Sequence, residues 1–287
     1  MIDRRTLLFG IASLPLAAPA LAQVEGARAA FAALRARLGP GGRLGVAAMD
    51  SAGRTLFDAD SRFAMCSTFK LPLAAAMLGG VERGRWTLAD ELAFGEADLL
   101  DYAPVVRAHL AAGRLSIEAL CAAIIEVSDN SAANLLLRKL GGPAALTDYI
   151  RTHGDRETRL DRTEPELNSN VAGDPRDTTT PAAMLRLTRS ILFGERLSQP
   201  SRVRLASWMA RCSTGRDRLR AGLPAGWRLG DKTGTGANGA HNDVLFALPP
   251  GQPPLVIASF ISGGDAPDPV RAEIHAAVAR FVTTGAL

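Results

Sequence analysis

The chain has 287 residues, 47% of them hydrophobic and 22% charged, enough for one large soluble domain or two interleaved lobes. Its net charge of +4 does not point to a nucleic-acid partner, because the arginines are scattered among Asp and Glu and aromatics make up only 5%. The histidines, His109, His153, His241 and His275, stand without an i, i+4 partner. They read as surface or helix-packing residues, so neither a metal site nor a cofactor is expected.

The first residues, MIDRRTLLFGIASLPLAAPALAQ, have a charged start, an apolar run from Leu7 and small residues Ala20 and Ala22 around Leu21. That is a signal-peptide layout over 1–22, with cleavage after Ala22 and work outside the cytoplasm, in the periplasm. Arg4 and Arg5 favour twin-arginine export, with Sec export as the alternative. The apolar run is too short and proline-marked for a permanent membrane helix. GARAAFAALRARLG (26–39) carries apolar residues at helical spacing and ends at Gly-Pro-Gly-Gly. RLGVAAMD and RTLFDAD, separated by SAG, read as a hairpin.

Ala- and Leu-rich helical patterns follow at 71–83, 105–112, 116–127, 131–140 and 181–193. The stretch 155–180 is instead dense in Arg, Asp, Thr, Asn, Pro and Gly. It reads as a long ordered loop, a kind of segment usually kept for function. Strand patterns return at WRLGDKTG, DVLFALP and PLVIASFIS, before a last amphipathic helix from about Asp268 to Val282. The expected fold is therefore α/β plus all-α: a sheet built from both chain ends and flanked by helices, with a helical lobe inserted between them. Residues 23–64 and 211–287 form the α/β lobe, and 65–210 the helical lobe with the loop 162–177. A cleft between the lobes is the expected site.

Four motifs carry chemistry. Of 33 basic residues only Lys70, Lys139 and Lys232 are lysine, and lysine differs from arginine in being able to give up its proton when buried. Ser67 and Lys70 in CSTFK are three apart, which puts amine and hydroxyl on one face if a helix begins there. The first turn of such a helix also favours developing negative charge. Pro72 leaves the start of that helix open, and the pair alone is a weak signal. Ser128, Asp129 and Asn130 form SDN between two helical patterns, equally readable as a helix N-cap. Lys232, Thr233 and Gly234 end a strand pattern. The glycines of GTGANG there match a dinucleotide fingerprint, but a strand follows, so that reading is rejected. Glu164 to Asn168, EPELN, lie in the long loop, where a carboxylate near a cleft is a candidate base for activating water.

Ser-x-x-Lys, Ser-Asp-Asn, Glu-x-x-Leu-Asn and Lys-Thr-Gly, in this order, resemble the signature of class A serine β-lactamases across essentially the whole mature chain. The resemblance implies that Ser67 attacks the β-lactam carbonyl to form an acyl-enzyme, with the backbone N–H groups of Ser67 and Thr235 as the oxyanion hole. It implies Ser128 as proton relay to the ring nitrogen, beside Lys70 and Lys232. The acylation base is either Lys70 or Glu164 through a water, and Glu164 serves deacylation. Asn168 would hold the hydrolytic water and Asn130 the substrate's side-chain amide. Lys232, Thr233, Thr235 and Arg218 would meet the substrate carboxylate, and Tyr102 would wall the cleft mouth. Arg162 and Asp177 match the ion pair closing the neck of the omega loop, and Lys139 reads as a surface residue.

Two departures bear on disulfides. Cys121 matches one half of a bridge found in some members, but Ala74 stands at the other. Cys66 matches half of the bridge of several carbapenem-hydrolysing members, but Gly236 takes the partner position. No disulfide is expected, and carbapenem hydrolysis gains no support. The expected protein is a periplasmic monomer acting on a small β-lactam with one water, with no nucleic-acid or membrane partner after leader cleavage. The rivals are a penicillin-binding DD-peptidase, another serine acyl hydrolase, or a β-lactam sensor that keeps its acyl group.

Overall fold

The computed structural model describes residues 18–49 and 53–287. Residues 1–17 of the expected leader, including Arg4 and Arg5, lie outside the described residues, as do 50–52 of the expected hairpin turn. In chain order the elements are α1 (Ala18–Ala36), β1 (Arg43–Met49), β2 (Arg54–Phe57), β3 (Phe63–Ala64), α2 (Lys70–Glu82), β4 (Glu91–Ala93), α3 (Pro104–Ala108), β5 (Arg114–Ser116), α4 (Ile117–Glu126), α5 (Asn130–Leu140) and α6 (Pro143–Thr152). There follow β6 (Thr178–Thr179), α7 (Pro181–Phe193), α8 (Gln199–Ala210), β7 (Arg228–Thr235), β8 (His241–Leu248), β9 (Leu255–Ser262) and α9 (Asp268–Thr284).

The main sheet has the order β2-β1-β9-β8-β7 and is antiparallel throughout. The chain ends meet in its middle, where β1 pairs β9 with Ala47 opposite Ala258. Side chains alternate between the two faces with period two. On β8 and β9, Val244, Phe246, Val256, Ala258 and Phe260 enter the core shared with α2, α4, α5, α7 and α8. Leu245, Ala247, Leu255, Ile257 and Ile261 enter a second core with Phe31 and Leu34 of α1 and Ile274 and Val278 of α9. Both faces are covered, which is why these strands read as unbroken apolar runs rather than as an apolar–polar alternation.

The helix ends follow local chemistry. Ser116, Asp129 and Thr180 cap α4, α5 and α7 by accepting N–H bonds from Ala119, Ala132 and Ala183. Gly141 closes α5 at φ +116°, a conformation costly for a side-chain-bearing residue. The helices α6 and α8 were not among the expected segments. Both begin with Pro in the first turn, where a missing N–H costs nothing, and α8 presents few apolar residues in sequence. Among the described residues no helix is long and apolar enough to cross a membrane.

Candidate active site

The site lies where the start of α2, the start of α5, the strand β7 and the long loop converge. Residues Cys66–Phe69 form a 3-10 turn that runs straight into α2. Pro72 thus falls within the first turn of α2, where proline is tolerated, and the question of where the helix starts is answered at Lys70. Gly234 of β7 fits against this turn: a Cβ there would stand 2.6 Å from the Met65 carbonyl oxygen and 3.2 Å from the Ser67 nitrogen. Only glycine lets the strand approach the backbone N–H of Ser67 so closely.

Lys70 is fully buried, and its Nζ has five oxygen neighbours. It donates to Ser67 Oγ at 2.9 Å, Ser128 O at 2.8 Å, Ser128 Oγ at 3.3 Å and Asn130 Oδ1 at 2.6 Å. Glu164 Oε1 lies 3.0 Å away. Burial pushes the Lys70 amine below its ordinary pKa, while the Glu164 carboxylate beside it pulls the other way. Glu164 Oε1 also stands 3.5 Å from Ser67 Oγ. The hydroxyl therefore faces an amine and a carboxylate that share one buried enclosure.

Ser128 is held at φ +63°, a left-handed conformation rare outside glycine. The flanking residue explains how it is kept there. Asp129 is fully buried. Its Oδ1 accepts the Ala132 N–H of α5, and its Oδ2 accepts the Val105 and Val106 N–H groups at 2.8 and 3.0 Å. One carboxylate thus satisfies the open first turns of two helices. SDN is a helix cap and part of the site at once.

Lys232 is also fully buried. Its Nζ donates to Ser128 Oγ at 3.1 Å and to the Thr233 carbonyl at 2.8 Å. Desolvation lowers its pKa to about 8, helped by the like charge of Lys70. Ser128 Oγ therefore lies between two lysine nitrogens. Arg218 reaches the end of β7 from the far side, donating to Thr235 Oγ1 at 2.8 Å and to the Asn242 and Gly234 carbonyls. Thr233 Oγ1 is 2.5 Å from Thr214 Oγ1. Tyr102 exposes half its surface, and its carbonyl accepts the Asn130 N–H at 3.0 Å, so its ring stands at the rim next to SDN.

The loop brings Glu164 and Asn168 to the same place. Glu164 is buried; Asn134 of α5 grips its backbone from both sides, accepting its N–H at 3.0 Å and donating to its carbonyl at 2.8 Å. Asn168 Nδ2 donates to Glu164 Oε2 at 2.5 Å, while Asn168 Oδ1 is buried without a protein partner. At the neck, Asp177 is fully buried and accepts from Arg162 Nε at 2.5 Å and from the backbone N–H groups of Asp161 and Arg162 at 2.7 and 2.9 Å.

All fourteen expected site residues thus lie in the cleft or at the loop neck. The expectation missed Asn134, although it sits four residues after Asn130 on the same helix face as a polar residue in an apolar pattern. It also missed Thr214, for which the sequence offers no signal. Lys139 is exposed, with its Nζ 5.6 Å from the centre of the Trp86 ring. Cys66, Cys121 and Cys212 are free and buried. His109 is exposed and His153 half-buried; His241 and His275 are buried and stacked, ring centres 5.2 Å apart, where β8 meets α9. A cavity of about 620 Å³ lies elsewhere, behind the loop, lined by Arg43, Arg62, Arg162 and Arg176. Each of these guanidiniums already faces a carboxylate, and none of the reacting groups opens into it.

Comparison with known proteins agrees with this geometry. The model of the β-lactamase enzyme family matches residues 28–284. The chain is 40% identical to β-lactamase CTX-M-8 of Citrobacter amalonaticus and to β-lactamase OXY-1 of Klebsiella oxytoca, across 98% of each chain. Among solved structures, an ancestral (GNCA) class A β-lactamase superposes with a TM-score of 0.87 at 48% identity, over 90% of this chain and 99% of that one. The putative class A β-lactamase PenP from Rhodopseudomonas palustris gives 0.86 at 42%, over 92% and 99%. With Ser67, the two buried lysines and the loop carboxylate gathered in one cleft, the chain belongs to the β-lactamase enzyme family, among the class A serine β-lactamases.

Proposed function

We propose that Ser67 opens the β-lactam ring of penicillins and cephalosporins through an acyl-enzyme that Glu164 then hydrolyses, conferring β-lactam resistance. The observation that carries this reading is the buried Glu164 carboxylate 3.5 Å from Ser67 Oγ. A second base on the nucleophile is what a fast deacylation needs, and an enzyme that only acylates has no use for it.

In the proposed sequence the substrate carboxylate is met by Lys232, Thr233, Thr235 and Arg218, and its side-chain amide by Asn130, with Tyr102 along the rim. The Ser67 hydroxyl gives its proton to Lys70, directly, or to Glu164 through a water, and its oxygen attacks the ring carbonyl. The N–H groups of Ser67 and Thr235 hold the resulting oxyanion, a contribution of roughly 3–4 kcal/mol per donor in sites where one has been removed. The C–N bond then breaks as Ser128 passes its proton to the ring nitrogen and regains one from Lys70, which holds the Ser67 proton or receives it from Glu164 3.0 Å away, so that Glu164 is again a carboxylate. Glu164 next takes a proton from a water held against the unpartnered Asn168 Oδ1. The hydroxide attacks the acyl carbonyl, and Ser67 leaves with the proton that Glu164 took, which restores both groups. Arg162 and Asp177 keep the loop in place throughout.

The same reading divides the chain into an α/β lobe (23–64 and 211–287) and an inserted helical lobe (65–210), supported by a main sheet drawn wholly from the two chain ends. It takes the protein as a periplasmic monomer, exported by the leader 1–22, whose partners are the β-lactam and one water.

The test follows benzylpenicillin ring opening and intact protein mass together, for the mature protein and for Glu164→Ala. Many turnovers are expected for the parent. The variant is expected to trap an adduct on Ser67, with deacylation slowed on the order of a hundredfold or more. A parent that traps after one turnover would make the protein a penicillin-binding protein or sensor.

A further inference from the structure

The segment after α8 packs against β7 where Thr233 lies. Ser213 fastens this segment to the end of α4, its N–H and its hydroxyl donating to the Glu126 carbonyl at 2.9 and 3.0 Å. Gly215 lets it close on the strand, since a Cβ there would clash with Asp231 Oδ2 and stand 3.0 Å from Thr233 Cγ2. Between these two residues is Thr214, whose Oγ1 lies 2.5 Å from Thr233 Oγ1 and 3.3 Å from Cys212 Sγ. The reaction sequence above gives Thr214 and Cys212 no part.

A hydroxyl has one proton to donate, and an ionised carboxylate can only accept. To hold the substrate carboxylate, Thr233 must therefore point its proton into the cleft, and its contact with Thr214 must run from Thr214 to Thr233. The acceptor side of Thr214 is then left for the Cys212 S–H. A thiolate at that place would draw the Thr214 proton away from Thr233 and reverse the chain. Burial and the Asp231 carboxylate both push the Cys212 pKa up, so the thiol keeps its proton. The groups then line up head to tail, with the Cys212 S–H on Thr214 Oγ1, the Thr214 O–H on Thr233 Oγ1, and the Thr233 O–H facing the cleft. A hydroxyl that receives a short hydrogen bond also becomes a stronger donor.

We propose that Thr214, backed by the Cys212 thiol, is a positioning residue for the substrate carboxylate, acting by turning the Thr233 hydroxyl proton toward the cleft. The inference rests on the reading of Thr233 as a carboxylate contact.

The test uses Thr214→Val, which replaces the hydroxyl by a methyl group in the same shape, and Thr214→Ser, which keeps the hydroxyl. Turnover is read for benzylpenicillin and for its methyl ester, which offers no charged carboxylate to the Thr233 hydroxyl. For benzylpenicillin, Thr214→Val should lower kcat/KM about fivefold, equal to about 1 kcal/mol, through KM with kcat nearly unchanged. On the ester the same variant should stay within about twofold of the parent, and Thr214→Ser should recover the parent value on both. Equal losses on acid and ester overturn the proposal, because Thr214 would then only support β7. No loss on either overturns it as well, and so does a Thr214→Ser variant as poor as Thr214→Val. If Thr214→Val does not fold, Cys212→Ala carries the test: a loss of about twofold on the acid alone supports the proposal, and equal losses or none overturn it. The parent separates the underlying readings, because lack of turnover refutes the catalytic one, and equal turnover of acid and ester refutes the carboxylate contact and this inference with it.

Discussion

The two bases that face Ser67 are held in opposite ways. Lys70 is placed by backbone regularity: it follows Ser67 by three residues across a 3-10 turn and the start of α2, and its position comes with the helix. Glu164 sits in a long loop that has little regular structure to place it. It is positioned by side chains reaching onto backbone, from Asn134 and at the neck from Asp177. On the proposed reading, the half of the site that would form the acyl-enzyme is thus part of the core, and the half that would release it is held by side-chain contacts. The first is lost by removing a reacting group, whereas the second is lost by loosening a fastening far from the chemistry.

The largest break in this comparison is expected at Lys70. Lys70→Ala removes the amine that contacts Ser67, Ser128 and Asn130, and acylation by benzylpenicillin should slow on the order of 10³-fold, read by single-turnover ring opening. If acylation is barely slowed, Glu164 through a water is the dominant base.

The next effect is expected at the loop neck. Asp177→Asn removes a buried charge that Arg162 pairs with, and roughly 3 kcal/mol of stability should go with it, a melting point lower by roughly 6–12 °C. Acylation should change much less than deacylation, which burst kinetics separate. Equal slowing of both steps would show that the loop also holds the acylation half.

The smallest effect comes from pH. Lys232 is held at about 8 by burial, so the ammonium that meets the substrate carboxylate is lost above that pH. The KM for benzylpenicillin should rise about tenfold per pH unit on that side. Stability moves the other way: between about 8 and 10.5 the unfolded chain holds the proton that the native state has released, so the Lys232 contribution becomes more favourable as pH rises. Lys232→Arg should abolish the KM limb, and an unchanged limb would assign it to another group.

Legibility in the sequence follows the same division. Ser67–Lys70, SDN and Lys-Thr-Gly could be read because each lies within a few residues at a helix start or strand end, where spacing fixes which groups meet. The expected helices α1, α2, α3, α4, α5, α7 and α9 emerge from apolar spacing for a related reason. In contrast, α6 and α8 were passed over: the mixed composition of α8 hides any periodicity, whereas α6 carries an apolar face that the reading did not take up. Within the loop, EPELN was legible as a motif, but the grip of Asn134 was not, because it joins residues 30 apart. The contact of Asn170 in the loop with Ser262 is farther still from local pattern, since the two are 92 residues apart.

By itself the sequence determined the local patterns: which motifs follow one another, which residues can cap a helix, and that both chain ends supply apolar strands. Periodicity and short-range spacing act within a few residues and need no fold to be read. Only the tertiary structure decided that both faces of the sheet are covered, that one buried aspartate caps two helices, and that the loop is pinned to the turn beside Ser67. Those outcomes depend on which distant donor meets which buried acceptor. Packing settles that match, because a polar group left unpaired in the interior costs more than any local preference can return.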